Sequence, residues 1–290
     1  MQGLLAPEPT EKSVTHHLQT SPTGRPAGLA LLLAAGLILL AAGIAGGYVL
    51  PGGQVLALME AKRSVSQSLE VRQVVSRMPL DGTPRRAAEL RETLNYRYPD
   101  HFRADTRGDD YQRTSIRTPQ DRLVVVNGQI QPGPPERFED YQAILLNATR
   151  AAMSDYLLGV GVDLDITSLG RFEDDYGYVI GAVYPDQSAA QLWIQKDTFR
   201  PLRLILPPPA LNPEEGPLEI RFLDWGQIEG ADYPMLIQVY RQHQLLREMR
   251  VENLRVDPPQ DPALFDTAGL RATLPQWDTA PILTPPSASP

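Results

Sequence analysis

Hydrophobic positions along the chain fall into three regimes. From Ala27 to Leu50 they run unbroken, as AGLALLLAAGLILLAAGIAGGYVL, with no ionisable side chain except Tyr48. At about 1.5 Å per helical residue, a run of this length crosses a bilayer core of roughly 30 Å. The expectation is a transmembrane signal anchor over 27–50. A long signal peptide cut near Ala42–Gly47 is the second reading, and a buried helix the third, weak because the run has no polar face. Lys12 and Arg25 before it and Lys62 and Arg63 after it barely separate the two ends by charge.

Beyond Pro51 the period shortens. Val55, Leu56, Leu58, Met59 and Val65 fit a short amphipathic helix. Strand patterns follow over 69–78, 92–98, 102–107, 111–117 and 122–130. Turns fall at Asp81-Gly82 and Pro99-Asp100, and Asn127-Gly128 is a strong hairpin signal. After a loop at 131–135, Phe138, Tyr141, Ile144, Leu145 and Ala148 recur at helical spacing. Ala152, Tyr156 and Leu157 continue the pattern to Gly159, in one helical segment open to a break in two. Alternation resumes over 178–184, 191–196, 202–206, 218–225, 233–240 and 245–256. Asp163 and Asp165 between Val162, Leu164 and Ile166 read as a half-buried strand edge. From Asp257 the chain is Pro-rich and reads as extended or disordered.

Ten or eleven strands with one helical insert predict an α+β, mainly β fold. The sheet is antiparallel, strongly curved and unclosed, with helices over its apolar face. The expected organisation is a disordered tail over 1–26, the apolar segment 27–50, one domain over 51–270 and a Pro-rich tail over 271–290. If the helices cover the sheet incompletely, an apolar cavity remains. Its candidate lining is Phe102, Tyr111, Phe138, Tyr141, Leu145, Tyr178, Trp193, Phe222 and Trp225.

Composition narrows the function. A formal net charge of -8 and the lack of any basic stripe argue against nucleic acid as a partner. Cysteine is absent, which excludes a thiol nucleophile, a disulfide scaffold and a Cys-type zinc site. No nucleophile elbow, P-loop, H-E-x-x-H or dinucleotide fingerprint occurs, so the expectation is a non-enzyme without cofactor or metal. His16 and His17 lie in the N-terminal tail. His101 and His243 read as turn residues, and a hydrolase would need polar groups clustered around one of them. Glu173-Asp-Asp175 lacks calcium-loop spacing and reads as a solvated turn. Ser168-Leu-Gly-Arg171 is too short for a phosphate site.

Leu192-Trp-Ile-Gln-Lys-Asp-Thr-Phe-Arg-Pro-Leu-Arg203 resembles the strand, turn and strand of the LolA/LolB-like lipoprotein-sorting family. Tyr233-Pro-Met through Tyr240, Gln244-Leu-Leu, Met249-Arg-Val251, Val256 and Leu264-Phe-Asp266 extend the likeness, which spans about 54–270. Gln195 stands where that family often has an acidic residue, a change that bears on the turn alone. The resemblance implies a helix-lidded half-barrel that holds lipid or lipoprotein acyl chains without catalysis. It also implies the periplasmic side of a Gram-negative inner membrane, or the soluble periplasm after signal cleavage. An envelope protein partner fits the same setting. The alternative is a structural or scaffolding domain of an envelope complex, with a filled core.

Overall fold

A computed structural model describes residues 49–63, 66–78, 88–133 and 136–277. The expectations for 1–26, most of 27–50, Asp81-Gly82 and 278–290 lie outside the described residues. Among the described residues no helix is long and apolar enough to cross a membrane.

Thirteen strands form one sheet in the order β6-β5-β4-β3-β2-β1-β13-β12-β11-β10-β9-β8-β7. The strands are β1 (Ser68–Arg77), β2 (Ala88–Arg97), β3 (His101–Arg107), β4 (Gln112–Arg117), β5 (Arg122–Val126), β6 (Gln129–Ile130) and β7 (Thr167–Phe172). They continue with β8 (Asp175–Ile180), β9 (Gln191–Gln195), β10 (Pro201–Leu206), β11 (Leu218–Ile228), β12 (Ala231–Arg241) and β13 (Gln244–Val256). Every neighbouring pair is antiparallel, and β1 and β13 join the two halves at the centre. The ends of the strand order, β6 and β7, do not pair, so the sheet is unclosed, as the sequence predicts. Register shifts at Arg72/Gln73, Val239/Tyr240 and Pro201/Arg203 add the bulges that bend such sheets.

Among the described residues four helices accompany the sheet: α1 (Gly52–Lys62), α2 (Asp140–Leu146), α3 (Arg150–Gly159) and α4 (Thr267–Thr273). In α1, buried Gly52, Val55, Leu56 and Met59 repeat at helical spacing and face the sheet. Gly52 packs so closely that a Cβ there would sit 2.6 Å from the Leu164 carbonyl oxygen. In α2 every residue from Tyr141 to Leu146 is buried. Thr149 caps α3 by accepting from the Ala152 amide at 3.2 Å. The predicted helical segment is therefore two helices, broken at Asn147–Thr149.

The insert joins β6 to β7, so the chain passes from one sheet edge to the other across the inner face. One large core fills the space between. Val55, Leu56, Tyr141, Ile144 and Leu157 from the helices meet Leu94, Tyr96, Phe102, Ile194, Phe222 and Ile237 from the strands. The insert's start is pinned by charge. Glu139, only 3% exposed, receives Arg113 of β4 and, at 2.6 Å, Arg122 of β5. Arg137 donates to the Pro207 carbonyl at 2.6 Å on the opposite side.

Two expectations need correction, and one strand lies outside the predicted set. The Asp163–Ile166 stretch is a turn, with the Asp163 carboxylate accepting from the Asp165 amide at 2.9 Å. Residues 167–172 form an edge strand that Gly170 and the charges around it hide from an alternation test. The chain beyond Asp257 is ordered, as a 3-10 turn at Pro262–Phe265 and then α4, which packs Leu270 and Leu274 on the outer face against Leu123, Val125 and Ile130. Order continues past Leu270: the Ile130 amide donates to the Pro275 carbonyl at 2.9 Å, and the Trp277 amide donates to the Ile130 carbonyl at 2.8 Å. This segment covers the short β6 edge.

Candidate functional site

Among the described residues a cleft runs between the helices and the sheet into the main core. It opens at the strand ends where β2 turns into β3, β9 into β10 and β11 into β12. Met59 of α1, Ile144 and Leu145 of α2, Phe199, Trp225 and Tyr233 give it apolar walls. Lys62, Arg63, Arg200 and Asp232 stand around it, with Tyr98 beside Arg63. Its free volume is about 40 Å³, well short of the roughly 300–1,000 Å³ of ligand pockets. The structure is thus a closed one, with α2 occupying the space beneath the sheet's bend.

Local geometry explains each wall. Phe199 has a φ of 58°, and its amide donates to the Gln195 carbonyl at 2.9 Å, closing the turn after β9. That turn carries its ring to a stacked position 6.0 Å from Tyr178. Trp225 donates its indole N–H to the Pro201 carbonyl at 3.0 Å, and the Arg200 guanidinium lies 5.7 Å over its ring. Arg200 also pairs with Asp232 at 2.7 Å. Arg63 donates to the Asn147 carbonyl at 2.9 Å and lies 5.5 Å over Tyr98. At the floor, the Tyr96 and Tyr233 hydroxyls meet at 3.0 Å, and burial pushes both well above the usual phenol range.

The nine sequence-predicted lining residues divide. Leu145 and Trp225 reach the cleft. Phe102, Tyr141, Tyr178 and Phe222 lie in the same core, behind the cleft, while Phe138 and Tyr111 pack at its margin, partly buried. Trp193 is on the other face of the sheet. Leu192 and Ile194 point inward, so Trp193 between them points outward, into a small cluster with Phe172, Val179, Ala182 and Leu202. There Gln191 accepts its indole N–H at 2.8 Å, and Arg203 lies 5.1 Å over its ring. Met59, Tyr98, Ile144, Phe199 and Tyr233 line the cleft without having been singled out for it. The Asp197-Thr-Phe199 turn was the available signal for Phe199, but alternation does not report where a turn residue points.

The other candidate chemistry is scattered. His101 contacts the Asp100 carboxylate at 2.6 Å and meets Phe265 edge-on. His243 is exposed in the β12–β13 turn, at the opposite end of the sheet from His101. Glu173 and Asp174 form the exposed β7–β8 turn.

No protein-family model matches the chain, and no curated protein matches it. Solved structures do. A DUF1329 family protein from Desulfovibrio piger superposes with a TM-score of 0.53 at 15% identity, covering 76% of this chain and 97% of its own. The LolA superfamily protein NE2245 from Nitrosomonas europaea gives 0.51 at 14% identity, covering 76% and 99%. The fold is LolA-like. In this chain the cleft lies where the helices and the curved sheet part.

Proposed function

We propose that the domain binds a lipid or lipoprotein acyl chain in the cleft between α1, α2 and the strand ends, on the periplasmic side of the inner membrane, and carries out no covalent reaction. The observation that carries this reading is the apolar opening formed by Met59, Ile144, Leu145, Phe199, Trp225 and Tyr233 between the helices and the strand ends. Transfer of a chain from water contributes about 0.8 kcal/mol per buried CH₂, so a long tail offsets the displacement of α2. The LolA superfamily likeness supports the same class of ligand. The apolar run 27–50 is the element that would hold the domain at the membrane.

Organic extraction of the purified full chain, followed by mass spectrometry, tests the proposal. Acyl lipid at near-equimolar yield is expected; an extract without lipid, together with no uptake of added lipid, counts against it. Sequencing the mature N-terminus tests the tether: a start between Ala42 and Val49 removes it. The small free volume of about 40 Å³ favours a second reading, a non-catalytic platform in an envelope complex. A core that stays closed to every lipid would select that reading.

A further inference from the structure

The mouth of the cleft is cationic in a chain whose formal net charge is -8. Lys62, Arg63 and Arg200 stand there against one carboxylate, Asp232, which is engaged by Arg200 at 2.7 Å. Among the described residues neither Lys62 nor Arg63 has an ion-pair partner. Arg63 satisfies one N–H with a neutral acceptor, the Asn147 carbonyl, and rests on the Tyr98 ring. The nearest acid on the same helix, Glu60, is turned to the first turn of α3, where it accepts from the Arg150 amide at 3.1 Å. Two charges thus remain uncompensated directly above walls made of Met59, Ile144 and Leu145. Apolar depth beneath unpaired cations is the complement of an amphiphile with a negative head.

We propose that the ligand of this cleft is a lipid with an anionic headgroup, a carboxylate or phosphate held by Lys62 and Arg63 while its tail enters between α1 and α2. The inference rests on the acyl-binding reading and narrows it. A neutral acylglyceryl group, such as that of a lipoprotein, leaves the two cations unanswered.

The test uses the full chain and a neutral fluorescent probe, N-phenyl-1-naphthylamine, displaced by laurate, by methyl laurate or by inorganic phosphate. Laurate and its methyl ester share a tail and differ in charge. Laurate is expected to displace the probe at about tenfold lower concentration, the size of one charge-assisted hydrogen bond. Raising the salt should erode that advantage, and inorganic phosphate should displace nothing. Lys62→Gln with Arg63→Gln should bring the two lauryl ligands to equal affinity, while Lys62→Arg with Arg63→Lys keeps the preference. Lys62→Glu alone, at an exposed position that leaves the Arg63–Asn147 bond in place, should reverse or abolish it, whatever the double variant does to the fold. Equal affinities in the unaltered chain would overturn the anionic assignment and leave acyl binding standing. Phosphate displacing the probe as well as laurate does would overturn it in favour of a bare anion site. Failure of both lauryl ligands would remove the acyl reading itself.

Discussion

The hydroxyl of Tyr96 on β2 meets that of Tyr233 on β12 at 3.0 Å, although β1 and β13 lie between their strands in the sheet. Strands sit about 4.8 Å apart, so a flat sheet would separate these two backbones by roughly 14 Å. Their rings are 6.1 Å apart, edge to face. The contact thus ties the two flanks of the sheet together across the central strands.

Removing one hydroxyl should cost more than half of removing both. Tyr233→Phe leaves the Tyr96 hydroxyl buried without this partner, at about 1–3 kcal/mol. The pair Tyr96→Phe with Tyr233→Phe should fall short of the summed single losses by a coupling readable in urea titrations. Additive losses would show that the hydroxyls do not interact.

The anchor of the insert is also electrostatic. Glu139→Ala would strand Arg113, whose side chain is 7% exposed, and should lower stability by about 3–5 kcal/mol. Glu139→Gln should cost less, because it keeps acceptor oxygen and shape. Chemical denaturation of the two variants separates these outcomes.

Asp140 supplies a pH dependence. Burial raises its carboxyl to about 6, more than Arg137 and Arg122 lower it. A carboxyl raised on folding contributes stability that is full below its unfolded value, near 3.8, and is lost as pH rises through about 6. The loss across that window should be about 2–3 kcal/mol, and Asp140→Asn should flatten the profile. Asp121 runs the other way: the Arg271 hydrogen bonds hold it at about 2, so its contribution disappears only as pH falls toward that value.

Tryptophan emission reports occupancy. Trp225 walls the cleft and Trp193 lies on the opposite face. A lipid-induced change in fluorescence should therefore vanish in Trp225→Phe and persist in Trp193→Phe. The reverse pattern would place the ligand on the outer face.

The architecture was legible wherever one face of a strand is apolar and the other wet. Glu219-Ile-Arg-Phe222 announces β11, and Asn127-Gly128 announces the β5–β6 turn, with positive φ values of 48° and 80°. β7 was hidden because Gly170 makes room for Trp193: a Cβ there would sit 2.6 Å from the indole. A glycine that accommodates a packed ring looks, in sequence, like a strand breaker. Trp193 was misplaced for a related reason. β9 is buried on both faces, so hydrophobicity alone does not tell its inner side from its outer side. The cleft was the least legible feature. It depends on turns such as that at Phe199 and on contacts such as Arg63 with Asn147, between residues remote in the chain, and neither leaves a periodic trace.

The same strand order has a consequence for how the polypeptide could be divided. Residues 68–130 build one flank of the sheet and residues 167–256 the other, stitched together along β1 and β13 from Leu69–Val256 to Arg77–Arg247. The link through α2 and α3 contributes no strand to that seam. A gene split at Ala148 would therefore yield two polypeptides that recognise each other through a central ladder, each carrying part of the roof.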